Sequence, residues 1–120
     1  MVWPWRKKDE VPKVEQAVLV HIPLSTDTFG TDEEQEAVFA LESELEEAVN
    51  ASGLGEFDGN EFGGGECVFF MYGPDGDALY GLIEPILRSR PIAAGGFAIK
   101  RYGETSDASA HQARVAWNIA

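Results

Sequence analysis

The sequence predicts an α+β domain in which two helices cover one face of an antiparallel sheet. Three observations lead to this prediction. Apolar residues recur with the period of a strand or of a helix, in the order strand, helix, strand, strand, helix, strand. The first and third of these strands are the most continuously apolar. A chain of 120 residues with 44% hydrophobic residues is long and apolar enough for one domain with a buried core.

The first predicted elements are a buried strand and a long helix. Residues 17–22, Ala-Val-Leu-Val-His-Ile, form an almost continuous apolar run, which is typical of a strand covered on both faces. Thr31, followed three residues later by Glu34, matches the capping box that starts many helices. A helix from about residue 31 to residue 51 is also indicated by apolar residues at helical spacing, which are Val38, Leu41, Leu45 and Ala48 or Val49.

The second half of the chain repeats this pattern after a hairpin. Residues 55–62 predict a weaker strand, rich in Gly and acidic residues, and three glycines separate it from the apolar strand 66–72. Asp75 is placed to cap a second helix. The predicted buried stripe of this second helix is Leu79, Leu82, Ile83, Ile86 and Leu87. Two extended stretches, 97–102 and 113–119, complete the order.

This order of elements is that of the ferredoxin-like split βαβ fold (βαββαβ), with an additional C-terminal strand. In that fold the first and third strands are central, and these are the two most apolar strands of the sequence. We predict that residues 1–15 form an N-terminal tail and that residues 16–120 form a single α+β domain.

The face of the sheet that the helices leave open needs cover of its own. Strand alternation places Cys67, Phe69 and Met71 on one face of the third strand. Its other face is also apolar, carrying Val68, Phe70 and Tyr72. Either the Trp-bearing termini or a second copy of the chain could supply the cover. We predict a homodimer.

The charge of the chain is concentrated in one long segment. Between residues 14 and 87 there is no Lys or Arg, yet this segment holds 17 of the 21 Asp and Glu residues, and the net charge is -12. Such a field repels nucleic acid and anionic membranes and attracts cations or a basic protein. No apolar run is long enough to span a bilayer, the N-terminus lacks the apolar region of a signal peptide, and one Cys forms no internal disulfide. We therefore expect a cytoplasmic protein.

The acidic hairpin is a candidate metal site. Asp58, Glu61 and Glu66 are oxygen ligands of the kind that Ca²⁺ and Mg²⁺ prefer. The competing interpretation is a polar edge strand, because alternation would keep these side chains from converging and charge protects an edge from aggregation. A nucleophile–base pair of His21 and Cys67 lacks an orienting third group. No motif indicates a reaction, so we predict no catalytic residue and no cofactor.

The predicted helix is the candidate partner-binding surface. Glu36, Glu44 and Glu47 lie away from its apolar stripe. The resulting hypothesis is a small, non-catalytic interaction module that binds a basic protein, as an immunity protein or inhibitor does. The alternatives are a metal-dependent enzyme or a small-molecule sensor that uses the acidic hairpin or the dimer interface.

Three segments carry a resemblance to known proteins. They are Phe57-Asp58-Gly59-Asn60-Glu61-Phe62-Gly63, Tyr72-Gly73-Pro74-Asp75-Gly76-Asp77-Ala78-Leu79 and Arg101-Tyr102-Gly103. Over about residues 17 to 103 the chain resembles a group of small uncharacterised bacterial proteins. These share an Asp-Gly-x-Glu segment, a Tyr-Gly-x-Asp-Ala segment and a late Arg-Tyr-Gly. The resemblance implies a ferredoxin-like fold, and it implies no activity and no functional residue.

Overall fold

The computed structural model describes residues 15–103 and 109–117 of the chain. The tail predicted over residues 1–15 lies outside the described residues, except for Glu15, and so does the end of the last predicted strand. The elements follow in the order β1 (Gln16–Pro23), α1 (Asp32–Ser52), β2 (Glu56–Gly63), β3 (Glu66–Gly73), α2 (Gly76–Arg88), a 3₁₀ turn (Pro91–Ala93), β4 (Phe97–Arg101) and β5 (Gln112–Ala116).

The five strands form one open sheet in the order β2-β3-β1-β4-β5, and every neighbouring pair is antiparallel. The prediction of an α+β domain with an antiparallel sheet and two helices is confirmed. The apolar strands β1 and β3 are central, because only central strands bury both faces. The acidic strand β2 and the short strand β5 are the edges of the sheet.

Helix α1 begins and ends where the sequence predicts. Thr31 is its N-cap, with the full capping box to Glu34, and Gly53 ends it in the left-handed conformation at φ 72°. An L-residue with a side chain adopts that conformation only with strain, so glycine is the favoured residue there. The buried stripe is Val38, Leu41, Leu45 and Val49.

Helix α2 starts at Asp75, whose side chain accepts a hydrogen bond of 3.1 Å from the backbone N–H of Ala78. The Gln16 side chain also caps it by accepting from the Gly76 N–H at 2.7 Å, which ties the helix start to β1. The helix continues through Pro85 to Arg88. Its fully buried side chains are Leu79, Ile83 and Leu87.

The main core lies between the helices and one face of the sheet. The strand side chains that point into it are Val18, Val20, Ile22, Cys67, Phe69, Met71 and Ala98. A smaller cluster lies on the other face, where Ala17 and Tyr72 are buried and Leu19 and Phe70 pack against them. The strand alternation predicted for β3 is therefore confirmed. Burial raises the pKa of the Tyr72 hydroxyl to about 12, with the Asp58 and Glu15 charges adding to the effect.

Two packing details hold the periphery of the sheet. Trp117, which follows β5, is buried and donates from Nε1 to the carbonyl oxygen of Ala93 at 2.9 Å. At the other edge, a Cβ on Gly55 would overlap the carbonyl oxygen of Tyr72 in β3. A Cβ on Gly73 would overlap that of Leu54, just before β2, so glycine at both positions lets the two segments approach closely. Among the described helices, none has the length and apolar character needed to cross a membrane.

Candidate functional site

The first turn of α1 organises the surface around it. Glu34 Oε1 accepts from the Thr31 N–H at 3.0 Å, and the Glu34 N–H donates to Thr31 Oγ1 at 3.1 Å. The same carboxylate accepts from the Ser25 N–H at 3.0 Å and from its hydroxyl at 2.8 Å. These donors, the Thr31 backbone first, hold the pKa of Glu34 below its ordinary value. One side chain thus joins the β1–α1 loop to the helix.

The three glutamates that were predicted to bind a partner differ in their exposure and in their contacts. Glu36 and Glu47 are exposed and lie about three turns apart on the outer side of α1, away from the buried stripe. Glu44 lies on the flank that faces α2, where its Oε1 accepts from Arg90 Nε at 2.7 Å. Glu36 and Glu47 are therefore presented to solvent, whereas Glu44 is held in an ion pair within the chain.

The acidic surface continues from α1 onto the edge strand β2. Glu42 Oε2 accepts from the Asn60 side-chain amide at 2.7 Å, which joins the two elements. Next to this contact is an open cavity of about 380 Å³ between the helix and the strand, lined by Glu46, Asn50, Glu56, Phe57, Asp58 and Gly59. Burial, followed by the Glu56 charge, raises the pKa of Asp58. Carboxylates of both elements thus line one continuous surface.

The three carboxylates of the candidate metal site lie at different places on the sheet. Asp58 lies at a β-bulge between Phe57 and Gly59. Glu61 is opposite Val68 in the register of β2 and β3, and Glu66 Oε1 lies 3.0 Å from His21 Nδ1. Within residues 15–103 and 109–117, no three His, Cys, Asp or Glu side chains form a group that could hold a metal ion.

His21 and Cys67 belong to opposite faces of the sheet. Cys67 is buried in the main core, and burial raises the pKa of its thiol to about 12, with Glu42 and Glu66 adding to the effect. The His21 ring lies on the other face and stacks on Phe97, with ring centroids 4.5 Å apart. The two side chains cannot act together as a nucleophile and base.

The described Lys and Arg side chains lie outside α1 and β2, on α2 and just after it, and on β4 and β5. Arg88 Nε donates to Glu84 at 2.8 Å within α2. Lys100 Nζ lies 2.9 Å from Asp77 Oδ1. The Tyr102 hydroxyl and the Lys100 ammonium group both donate to that carboxylate, and these hydrogen bonds, the one from Tyr102 first, lower its pKa. The Arg114 guanidinium lies 3.7 Å above the centre of the Phe97 ring.

Sequence reasoning missed an exposed aromatic cluster beside the acidic surface. Among the described residues, the large hydrophobic side chains that are exposed are Phe29, at 59%, and Phe39, at 48%. Both rings contact Phe62 of β2. A signal for Phe39 was present, because it falls outside the helical stripe that begins at Val38. No sequence signal places Phe29 beside it.

Comparison with known proteins yields no match: no family model, no curated protein and no solved structure matches this chain. The resemblance to small bacterial proteins therefore stays a prediction.

Proposed function

We propose that this protein is a non-catalytic interaction module whose acidic surface binds a basic protein partner, in the manner of an immunity protein or inhibitor. One observation carries the proposal: α1 and β2, two acidic elements that contain no Lys or Arg, pack against each other at one edge of the fold. The charge that is segregated along the chain is therefore segregated in space as well. On α1, the exposed side chains of this acidic surface include Glu36 and Glu47.

A surface of one sign acts on binding in two ways. It attracts an oppositely charged protein over a distance and raises the association rate, most strongly at low salt. It also disfavours polyanions, so nucleic acid and anionic membranes are not the proposed partners. Exposed carboxylates give modest affinity by themselves, and they contribute mainly to the association rate and to the choice of partner.

The test is a capture experiment from the native lysate at low and at moderate ionic strength, read by mass spectrometry. The immobilised proteins are the wild type, the double variant Glu36→Gln/Glu47→Gln and the control Glu84→Gln, which removes a carboxylate from α2 instead. A basic protein retained at low salt by the wild type and the control, and lost from the double variant, supports the proposal. Equal retention of that protein by all three would contradict a role of the α1 surface in binding.

We also propose that the fold is ferredoxin-like. In support, β1 lies between β3 and β4, and β2 lies outside β3. Helices also lie in the connections from β1 to β2 and from β3 to β4. In this assignment β5 is the additional C-terminal strand. A cytoplasmic location is part of the proposal as well, supported by a single, buried, free Cys67.

A homodimer through the second face of the sheet is our proposal for the assembly. A row of Phe70, Leu19 and Ile99 crosses this face and ends at Arg114 on the β5 edge. Glu61 lies on the β2 edge, opposite Val68 in the next row. A two-fold axis parallel to the strands would lay each acidic edge over the partner's basic edge. Sedimentation equilibrium should show a dimer that Arg114→Glu weakens and that adding Glu61→Arg restores. A monomer at every concentration would contradict it.

A further inference from the structure

An exposed aromatic cluster marks the end of the acidic surface near the β1–α1 loop. Phe62 is half-buried, and the rings of Phe29 and Phe39 lie against it with centroid distances of 6.4 and 5.8 Å. The three rings come from the loop, from α1 and from β2, and together they form one apolar patch. Contiguous exposed apolar surface of this kind marks a contact site far more often than isolated apolar residues do.

The exposure of Phe29 is not the result of a loose loop. The Leu24 N–H donates to the Gly65 carbonyl at 2.8 Å, which fixes the loop to the β2–β3 hairpin. The Gly30 N–H donates to Thr26 Oγ1 at 2.7 Å, and the Glu34 carboxylate accepts from the Ser25 N–H at the start of the loop. The ring is therefore kept in water by an organised backbone, and a preorganised side chain loses little conformational freedom when it binds.

Carboxylates border the cluster. Glu36 and Glu42 lie one helical turn before and after Phe39, and Asp27 lies two residues before Phe29. The chain segments that build the cluster contain no Lys or Arg. An aromatic centre with a charged rim is the usual composition of a binding hot spot, and the rim here is of one sign.

We propose that Phe29, Phe39 and Phe62 anchor the acidic surface, and that they receive an apolar side chain flanked by Lys or Arg on a basic protein. This inference rests on the proposed function and names the contact at its centre. The rings would exclude water from the apolar side chain, while the rim carboxylates pair with the flanking cations. An Arg of the partner can also stack on the ring faces.

The probes for the test are two pools of synthetic peptides with the same Lys and Arg content. The first pool places Leu or Trp between the basic residues, and the second places Ser or Gly there. Fluorescence anisotropy measures binding to the wild type, Phe29→Ser, Phe39→Ser and the control Ala40→Ser, which changes the neighbouring exposed helix position. Circular dichroism verifies that each variant retains its helices.

The wild type and the control should bind the apolar basic pool at least ~10-fold more tightly than the polar basic pool. Phe39→Ser and Phe29→Ser should lose that preference and bind both pools with the affinity that the wild type has for the polar basic pool. Equal binding of both pools, unchanged in the Phe variants, would overturn the aromatic anchor and leave the proposed function standing. Absence of binding to either pool would overturn both. Self-association of the wild type that Phe39→Ser abolishes would reassign the cluster to a contact between copies.

Discussion

Breaking the ion pair between Glu44 and Arg90 tests the proposed function, because the change should strengthen the attraction of a basic partner. Arg90 follows α2 and donates to Glu44 of α1, so it neutralises one carboxylate of the predicted partner-binding set. Replacing Arg90 by Gln removes the cation and leaves that carboxylate available to a basic partner. We expect the variant to associate faster with a basic protein than the wild type does.

The size of the effect follows from the exposure of the pair. The side chains of Arg90 and Glu44 are 48% and 36% exposed, so the pair stabilises the fold by only about 0.2–1 kcal/mol. One additional charge pair at about 4 Å in water contributes about 1 kcal/mol, which corresponds to at most about a fivefold faster association. At an ionic strength of 0.15 M the screening length is about 8 Å, so the gain should shrink as salt is added.

Arg88 provides a matched control for this variant. Its Nε donates to Glu84 at 2.8 Å within α2, so Arg88→Gln makes the same change in net charge on another surface. Stopped-flow association with the basic peptide pool measures both variants, and urea unfolding reports their stability. If the two variants accelerate association equally, net charge alone is responsible and the acidic helix surface is refuted as the binding site.

Three further predictions concern stability and metal binding. The lowered pKa of Glu34 means that its carboxylate stabilises the fold above its ordinary pKa and that this contribution is lost as the pH falls through the lowered folded value. Thermal melts toward acidic pH should therefore fall more steeply for the wild type than for Glu34→Gln, and equal slopes would contradict this. Gly73→Ala should lower the free energy of unfolding by at least about 1–3 kcal/mol, because its Cβ would meet backbone atoms, whereas Gly63→Ala meets open space and should change it little; urea titration compares them. Ca²⁺, Mg²⁺, Mn²⁺ and Zn²⁺ should leave the melting temperature unchanged, since the described residues hold no group suited to a metal, and a saturable shift with any of them would restore the metal hypothesis.

Much of the fold was predictable because its signals are local. The Thr31 capping box, the 3.6-residue stripe of α1 and the glycine at its end each depend on residues a few positions apart. The apolar strands β1 and β3 were predicted to be central for a similar reason, since a strand without polar positions cannot face water on either side. Local periodicity gives no measure of how well the second face is covered, and the burial of Tyr72 there became visible only in three dimensions.

The candidate site was predictable only in its composition. The acidic character of α1 is present in the sequence, but whether a carboxylate is free for a partner depends on residues far away along the chain. Glu44 illustrates this, because its partner Arg90 is 46 positions later and reaches it only after α2 packs beside α1. Glu42 is likewise joined to Asn60 of β2.

By itself, the sequence determined the helices, the central strands and the segregation of charge, since periodicity, capping and composition act between neighbours in the chain. The tertiary structure decided which surface that charge forms. It brought α1 and β2 to the same edge, and it assembled Phe29, Phe39 and Phe62 from a loop, a helix and a strand. The physical reason is that a surface is built from residues that are close in space, and long-range packing alone establishes that closeness.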